Sequence, residues 1–414
     1  MTYTTNITSL TPQEKLALIQ KLKQEKKKSE ITSLNKQTIQ YEHRSLLNLI
    51  ATGQLQKVNA ATLAYLPLQN ESISEKIKAI FKQLPILFNI FEFSFGSTAI
   101  IVLPIDENDL FNHKSLLKAQ LEKGLHLANF IGAKSISLAG LIPSVTQYGS
   151  DIISLIPKKS TMEITTGHAT TTATVIITLK ELLKNQNKTI QNEVIGFVGI
   201  GSIGQSSLKL MLKTLPHPKE LILCDIPAVK VLFDTLKTEI RQLGFKNKIK
   251  FIESSNQAPK EFYQASIIIG ATNQANILDI NQLKPGTILI DDSIPHCFDA
   301  NKAYKRMESQ KDIICIEAGM INSPEPIKEN RYLPNEIKPF LSYLPKIILN
   351  RLDCEMTSCV LAGLLTSTHT NIKASTGIPK HEIAKTHYNT LINMNFHAPK
   401  LRINGQNIPS DIKL

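Results

Sequence analysis

Glu193–Leu212 reads EVIGFVGIGSIGQSSLKLML. The apolar run from Val194 to Val198 has the length and β-branched content of a buried strand. It leads into Gly199, Ile200, Gly201, Ser202, Ile203 and Gly204, a G-x-G-x-x-G pattern, and a helical period follows. Gly199 permits a tight turn, Gly201 lets a pyrophosphate approach the backbone, and Gly204 lets helix and strand pack closely. The N-terminus of that helix, with Ser202 and Ile203 in its first turn, faces the phosphates. The pattern alone is common, and it gains its meaning from the strand before it and the helix after it.

A second strand follows at Leu221-Ile-Leu-Cys-Asp225. Asp225 lies 21 residues beyond Gly204, close to the ~20 expected of a ribose-binding acid. A carboxylate there accepts from the ribose hydroxyls and repels a 2′-phosphate, so an NAD(P)H site with Asp225 favours NADH. The competing reading is a turn aspartate ahead of Pro227. Further strands fit the same sheet at Lys250–Glu253, Ser266–Thr272, Thr287–Asp292 and Asp312–Glu317. Gly270-Ala-Thr-Asn273 and Asp291-Asp-Ser-Ile-Pro295 are polar stops at their carboxyl ends, where open α/β sheets bind ligands. Thr272 and Asn273 are therefore cofactor-side candidates. The expected core is a Rossmann-type doubly wound parallel sheet over residues 189–330.

A second α/β domain, for substrate, is expected over residues 96–188. It holds a strand in AIIVLPI, an amphipathic helix from Asn112 to Phe130, and a strand in SISLAGLIP. Ile164 to Leu183 opens Thr165-Thr166-Gly167-His168 and runs on into a threonine-rich helix that propensity alone does not favour. Such a helix needs close packing or a ligand to justify it. Residues 1–95 read as a helical N-terminal extension. Thr11 and Pro12 start a helix, Leu16, Ile19 and Leu22 recur at helical spacing, and Lys26 to Lys28 end it. That basic end is either a solvated terminus or a docking element for a synthase complex. Residues 331–414 read as a helical C-terminal segment. Within it, IKPFLSYLPKIILNRL (337–352) is basic and amphipathic, packed on the protein's own core or lying peripherally on a membrane.

The chain has 414 residues, of which 42% are hydrophobic, enough for real cores. Its net charge of +12 favours an acidic partner. Without Trp, and with only 6% aromatics, it lacks the means for a base-stacking platform, so nucleic acid is not the expected partner. Five Cys and no C-x-x-C pair point to reduced thiols and a cytoplasmic setting. The N-terminus lacks the pattern of a secretory signal. Leu84 to Ile105 is apolar, but Pro85, Asn89, Glu92, Gly96 and Pro104 argue for a buried strand pair, or a strand and a helix end, rather than a membrane span. The histidines show no metal-ligand spacing.

Reductive chemistry with a nicotinamide needs a partner side chain. Cys224 and Cys315 sit inside apolar strands. Cys297, beside His296, follows a strand end, and Cys359 lies in LDCEMTSCVLAGLLTS on a helix whose Ala362 and Gly363 leave room beside it. On the residues alone Cys297 and Cys359 stand level.

Taken together, SISLAGLIPSVTQYG, EITTGHATTTATVIIT, the glycine loop, LILCD, IDDSIP, EAGMI and MTSCVLAGLLTS resemble, in order, the cyanobacterial-type long-chain acyl-[acyl-carrier-protein] reductases. The chain also resembles modules associated with polyketide and nonribosomal peptide synthetases, including KVNAATLAYLPL near Val58. The likeness covers about residues 97–370. It implies reduction of an acyl thioester, from an acidic acyl carrier protein or acyl-CoA, to a fatty aldehyde. Cys359 matches the family's acyl-accepting cysteine. Thr165, Thr166 and His168 match its TTG segment, with Thr166 and His168 lining the acyl or nicotinamide pocket. His168 either polarises the carbonyl or is a helix-start histidine bonded to backbone. The plain G-x-G-x-x-G and Asp225 depart from the family pattern, which uses NADPH.

Three other classes compete. An amino-acid or shikimate-type NAD(P) dehydrogenase would share the glycine loop but want a Lys–Asp pair. A glutamyl-tRNA-type reductase would carry its nucleophile near an N-terminus that here has no Cys. A non-catalytic nicotinamide-binding subunit of a synthase complex would bind cofactor without turnover.

Overall fold

The computed structural model describes residues 38–40, 53, 55, 57–68, 70–333, 335–343 and 352–414. They fall into two compact units. The first takes the described residues of Met1–Gly167, Glu325–Leu349 and Cys359–Thr376; the second takes His168–Pro324, Asn350–Ser358 and Gly377–Leu414.

The first unit is built on a seven-stranded sheet. Its strands are β1 (Thr38–Gln40), β2 (Ala60–Ala64), β3 (Ile86–Phe93), β4 (Gly96–Val102), β5 (Ser135–Leu138), β6 (Glu163–Thr165) and a late strand, Lys328–Leu333. The order is β1, Lys328–Leu333, β3, β4, β2, β5, β6. β4, β2, β5 and β6 are parallel, and β3 is antiparallel to β4. Strand alternation gives the two faces different chemistry. On one face Ala61, Leu63, Ala99, Ile101, Ile136 and Leu138 join one core with Leu117, Leu121 and Leu125 of the Lys114–Phe130 helix. Ala60, Thr62, Ser135 and Ser137 alternate with them and are equally buried. Thr62 and Ser137 bond each other at 2.8 Å. The Ser358–Thr368 helix covers this second face: a Cβ on Gly363 would lie 3.2 Å from Ser137 Oγ and 3.4 Å from Ala60 Cβ.

The second unit carries six parallel strands: β7 (Val194–Val198), β8 (Glu220–Asp225), β9 (Lys248–Glu253), β10 (Ile267–Gly270), β11 (Thr287–Asp291) and β12 (Ile313–Glu317). Their order, β12-β11-β10-β7-β8-β9, is the Rossmann order with its switch point between β7 and β10. The expected parallel doubly wound sheet is present, with each expected strand in it. The threonine-rich segment forms the His168–Asn185 helix, packed on Ser202–Thr214 and on His381–Asn393.

Several expectations need correction. Described residues of the N-terminal extension are not all helical: β2 and β3 lie in the sheet, and Glu71–Phe81 is the helix between them. Ala-Ala-Thr-Leu-Ala has helix-forming alanines, but packing between β4 and β5 overrides propensity. The division into 1–95, 96–188, 189–330 and 331–414 also gives way to two interleaved units. The residues after Pro324 cover faces in both, and they add strands Lys328–Leu333 and Glu355–Thr357 and a hairpin of Arg402–Ile403 with Gln406–Asn407. Within the expected amphipathic helix at 337–352, Asn335–Tyr343 is a 3-10 turn, and the residues after it up to 351 lie outside the described residues, as does the helix expected from Thr11. Leu84 to Ile105 holds the β3–β4 hairpin, and no helix among the described residues is long and apolar enough to cross a membrane.

Candidate active site

In the second unit the glycine loop joins β7 to the Ser202–Thr214 helix. Gly199 has φ +86°, and a Cβ there would sit 2.3 Å from Ala271 O, so only glycine lets this loop meet the one after β10. Helix and strand approach so closely that a Cβ on Gly204 would lie 2.0 Å from Gly199 O. The helix is preceded by Gly201, and no side chain caps it. Its first amides are thus left to a ligand or solvent, which suits a phosphate. Ser202 is buried and Ile203 half-buried. Asp225, half-buried at the end of β8, accepts from Ile200 N and, at 2.7 Å, from Ile226 N. The carboxylate therefore stands against the glycine loop, as a ribose-binding acid must. Across the switch point Thr272 N donates to Ser293 Oγ at 3.0 Å, and Asn273 is exposed. These residues fit a dinucleotide.

His168 opens its helix with Nδ1 2.7 Å from Ser202 Oγ. Burial pushes its pKa down to about 4, so the ring is neutral at pH 7. The bond ties the start of the threonine-rich helix to the start of the phosphate-loop helix. Thr171 bonds Ser358 at 2.7 Å, and Thr170 bonds His387 Nδ1 at 2.9 Å. The hydroxyls that weaken helix propensity here serve as cross-links between elements.

In the first unit Thr166 and Gly167 follow β6 at the carboxyl edge of the sheet. Thr166 is buried and its N–H donates to Ser375 O at 3.0 Å. Gly167 has φ +80°, and a Cβ there would lie 3.1 Å from Cys359 Cα and 3.3 Å from Cys359 Cβ. Cys359 is the second residue of the Ser358–Thr368 helix, where the helix dipole favours an anionic thiolate. The TTG turn and the late cysteine, 192 positions apart in sequence, come so close that a side chain on Gly167 would crowd Cys359.

The other thiols separate by environment. Burial raises Cys224 to about 12 and lifts Cys315 further. Cys297 is fully buried; desolvation and its bond to Asp291 Oδ1 at 3.1 Å hold it protonated. A protonated buried thiol is a poor nucleophile. Cys354 and Cys359 alone keep partial exposure.

Three groups stand out that the sequence reading either noted only as a polar stop with a neighbouring histidine or did not single out. Asp291 Oδ2 accepts from His296 at 2.9 Å, and His296 Nε2 lies 3.8 Å from Glu317. Burial works against charge on that ring, but the carboxylates outweigh it and raise its pKa. Asp292, next along the chain, has no hydrogen-bond or salt-bridge partner for its carboxyl group among the described residues. In the first unit Lys78 is paired with Asp106 at 2.7 Å and Asp109 at 2.6 Å, beyond the carboxyl end of β4. The doublet DDSIPH was a visible signal for the first two. For Lys78 the signal was weaker, since Asp106 reads only as a helix cap.

No family model matches the chain, and no curated protein matches it. Among solved structures, L-tryptophan dehydrogenase from Nostoc punctiforme aligns at 12% identity over 81% of this chain and 80% of that one, with a TM-score of 0.37. Shikimate 5-dehydrogenase from Listeria monocytogenes, solved with shikimate and NAD, aligns at 9% identity over 63% and 86%, with a TM-score of 0.29. The match to Thermococcus litoralis Δ1-pyrroline-2-carboxylate reductase, solved with NADH and L-proline, has 17% identity and a TM-score of 0.24 and covers 30% of this chain and 36% of that one. Likenesses this distant attach no activity to this chain.

Proposed function

We propose that this chain is a nicotinamide-dependent oxidoreductase that reduces an acyl thioester to an aldehyde through an acyl group carried on Cys359. The contact between Gly167 and the Cys359 backbone, with the cysteine at a helix N-terminus, carries the reading. It supports a local site from two segments that resemble the reductase motifs. The uncapped phosphate-loop helix and the Asp225 carboxylate support NADH as reductant.

The Cys359 thiolate attacks the thioester carbonyl and expels the donor thiol. A nicotinamide held by the glycine loop and Asp225 would supply the hydride for reduction of the acyl group. The resulting hemithioacetal collapses, releasing aldehyde and restoring the thiolate. Thr166 and Gly167 hold the cysteine's helix in place, and neutral His168 fixes Ser202 beside the phosphates. An acidic acyl carrier protein suits the net charge of +12, and acyl-CoA is the smaller donor.

The test is intact-protein mass after mixing with a long-chain acyl thioester in the absence of nicotinamide, followed by peptide mapping. One acyl group on the Cys359 peptide, lost in Cys359→Ala, is expected, and turnover with NADH should exceed that with NADPH. An adduct on Cys354 would keep the reaction and move the nucleophile.

A second reading, an amino-acid or shikimate-type dehydrogenase, is favoured by the Lys78 cluster. Burial opposes the ammonium charge there, and the bonds to Asp106, Asp109 and Glu75 outweigh it. Absence of any acyl adduct would favour this reading.

A further inference from the structure

Successive residues of a strand face opposite sides of a sheet, and Asp291 and Asp292 at the end of β11 have opposite fates. The Asp291 carboxylate is spent on its own loop. It accepts from Ser293 N, Cys297 N and Cys297 Sγ at 3.1–3.2 Å, and pairs with His296. Asp292 is anchored only by its backbone, whose N–H donates to Gly270 O at 2.8 Å. The residue as a whole is half-buried, and its carboxyl group is desolvated. Space for it comes from Gly319, where a Cβ would lie 2.6 Å from Asp292 Oδ1 and 4.0 Å from Ser358 Oγ.

The position matters because of the sheet order. A dinucleotide lies across the switch point between two mononucleotide halves. Asp225 marks β7-β8-β9 as the adenosine half, which leaves β10-β11-β12 for the nicotinamide. Asp292 stands at the carboxyl end of the middle strand of that half. We infer that Asp292 is the proton donor to the carbonyl oxygen of the group that takes the hydride.

This rests on the nicotinamide-dependent reading above. As hydride adds to the carbonyl carbon, the carbonyl π pair becomes the oxygen's and takes the Asp292 proton, leaving a hydroxyl on the reduced group and an Asp292 carboxylate that takes a proton back from solvent. Desolvation and the neighbouring Asp291 charge raise the Asp292 pKa to about 8, so the acid form is populated at neutral pH. The charged groups about the ends of β11 and β12 include Asp291, His296 and Glu317, with Arg402 near Glu317.

The test compares native protein with Asp292→Asn. Expected are an unchanged acyl adduct on Cys359, NADH binding within about threefold of native, and single-turnover hydride transfer slowed ~10²–10³-fold. The native rate should fall as pH rises through 8, and the variant should lose that limb. Infrared difference spectra on adding NADH should show a carboxylic-acid carbonyl band at pH 7 that Asp292→Asn lacks. A loss below tenfold with the native pH limb retained would overturn the assignment, as would loss of NADH binding along with the rate. If native protein forms no acyl adduct, the thioester reading fails by itself. The infrared band then decides: its presence, shifted by NADH, keeps the donor, and its absence removes it.

Discussion

Gly167 serves two physical demands at once. Its φ of +80° is costly for any residue with a side chain, and a Cβ there would sit 3.1 Å from Cys359 Cα, tight enough that the cysteine's backbone must give way. Gly167→Ala should therefore cost about 1–3 kcal/mol of stability from the backbone conformation and displace the start of the cysteine's helix. The expected outcome is a folded protein with a lower melting temperature and a rate of Cys359 acylation at least tenfold below native, read by quenched mass spectrometry. A native acylation rate would show that the turn does not hold the cysteine.

The elements differ in how much of them the sequence discloses. The strands of the second sheet are short apolar runs, each stopped by glycine or a carboxylate, and they were legible as strands for that reason. β2 was not, because alanine and leucine satisfy helix and strand alike and only its neighbours β4 and β5 decide. The same limit applies to the site. The glycine loop and Asp225 are local in sequence and were readable, but the contact of Gly167 with Cys359 depends on a long-range return of the chain. The separate fates of Asp291 and Asp292 depend on what covers each face.

The His168–Asn185 helix shows what its threonines are for. Thr170 holds His387 by Nδ1, and the His387 ring is buried on the His381–Asn393 helix. Burial lowers both His168 and His387 to about 4. An unfolded histidine takes its proton near 6.5. For groups lowered in this way, stability is fully present above pH 6.5 and drains away as pH falls toward 4, by roughly 3 kcal/mol for each ring. The melting temperature should fall between pH 6.5 and 4.5, and His387→Gln should flatten part of that fall. An unchanged slope in the variant would mean that His387 is already protonated in the fold.

Taken over the molecule, each unit is assembled from three separated segments. The sheet of the first is covered by the Ser358–Thr368 helix, and the threonine-rich helix of the second is covered by His381–Asn393. A fragment ending at residue 324 keeps the strands β2–β12 but loses both covers, exposing the Thr62–Ser137 face and the His387 contact. Such a fragment should bind apolar dye and lack the cooperative thermal transition of the full chain, whereas a sharp transition would show that the covers are dispensable.

Interleaving of this kind also bears on how the protein is made. Synthesis runs from the N-terminus at ~5–20 residues per second, so all six strands of the second sheet leave the ribosome before either cover exists. For the time it takes to add residues 325–393, on the order of several seconds, the Thr62–Ser137 face and the threonine-rich helix wait without their covers. A chaperone has its longest opportunity in that interval, and a nascent chain stalled within it is the species most exposed to aggregation.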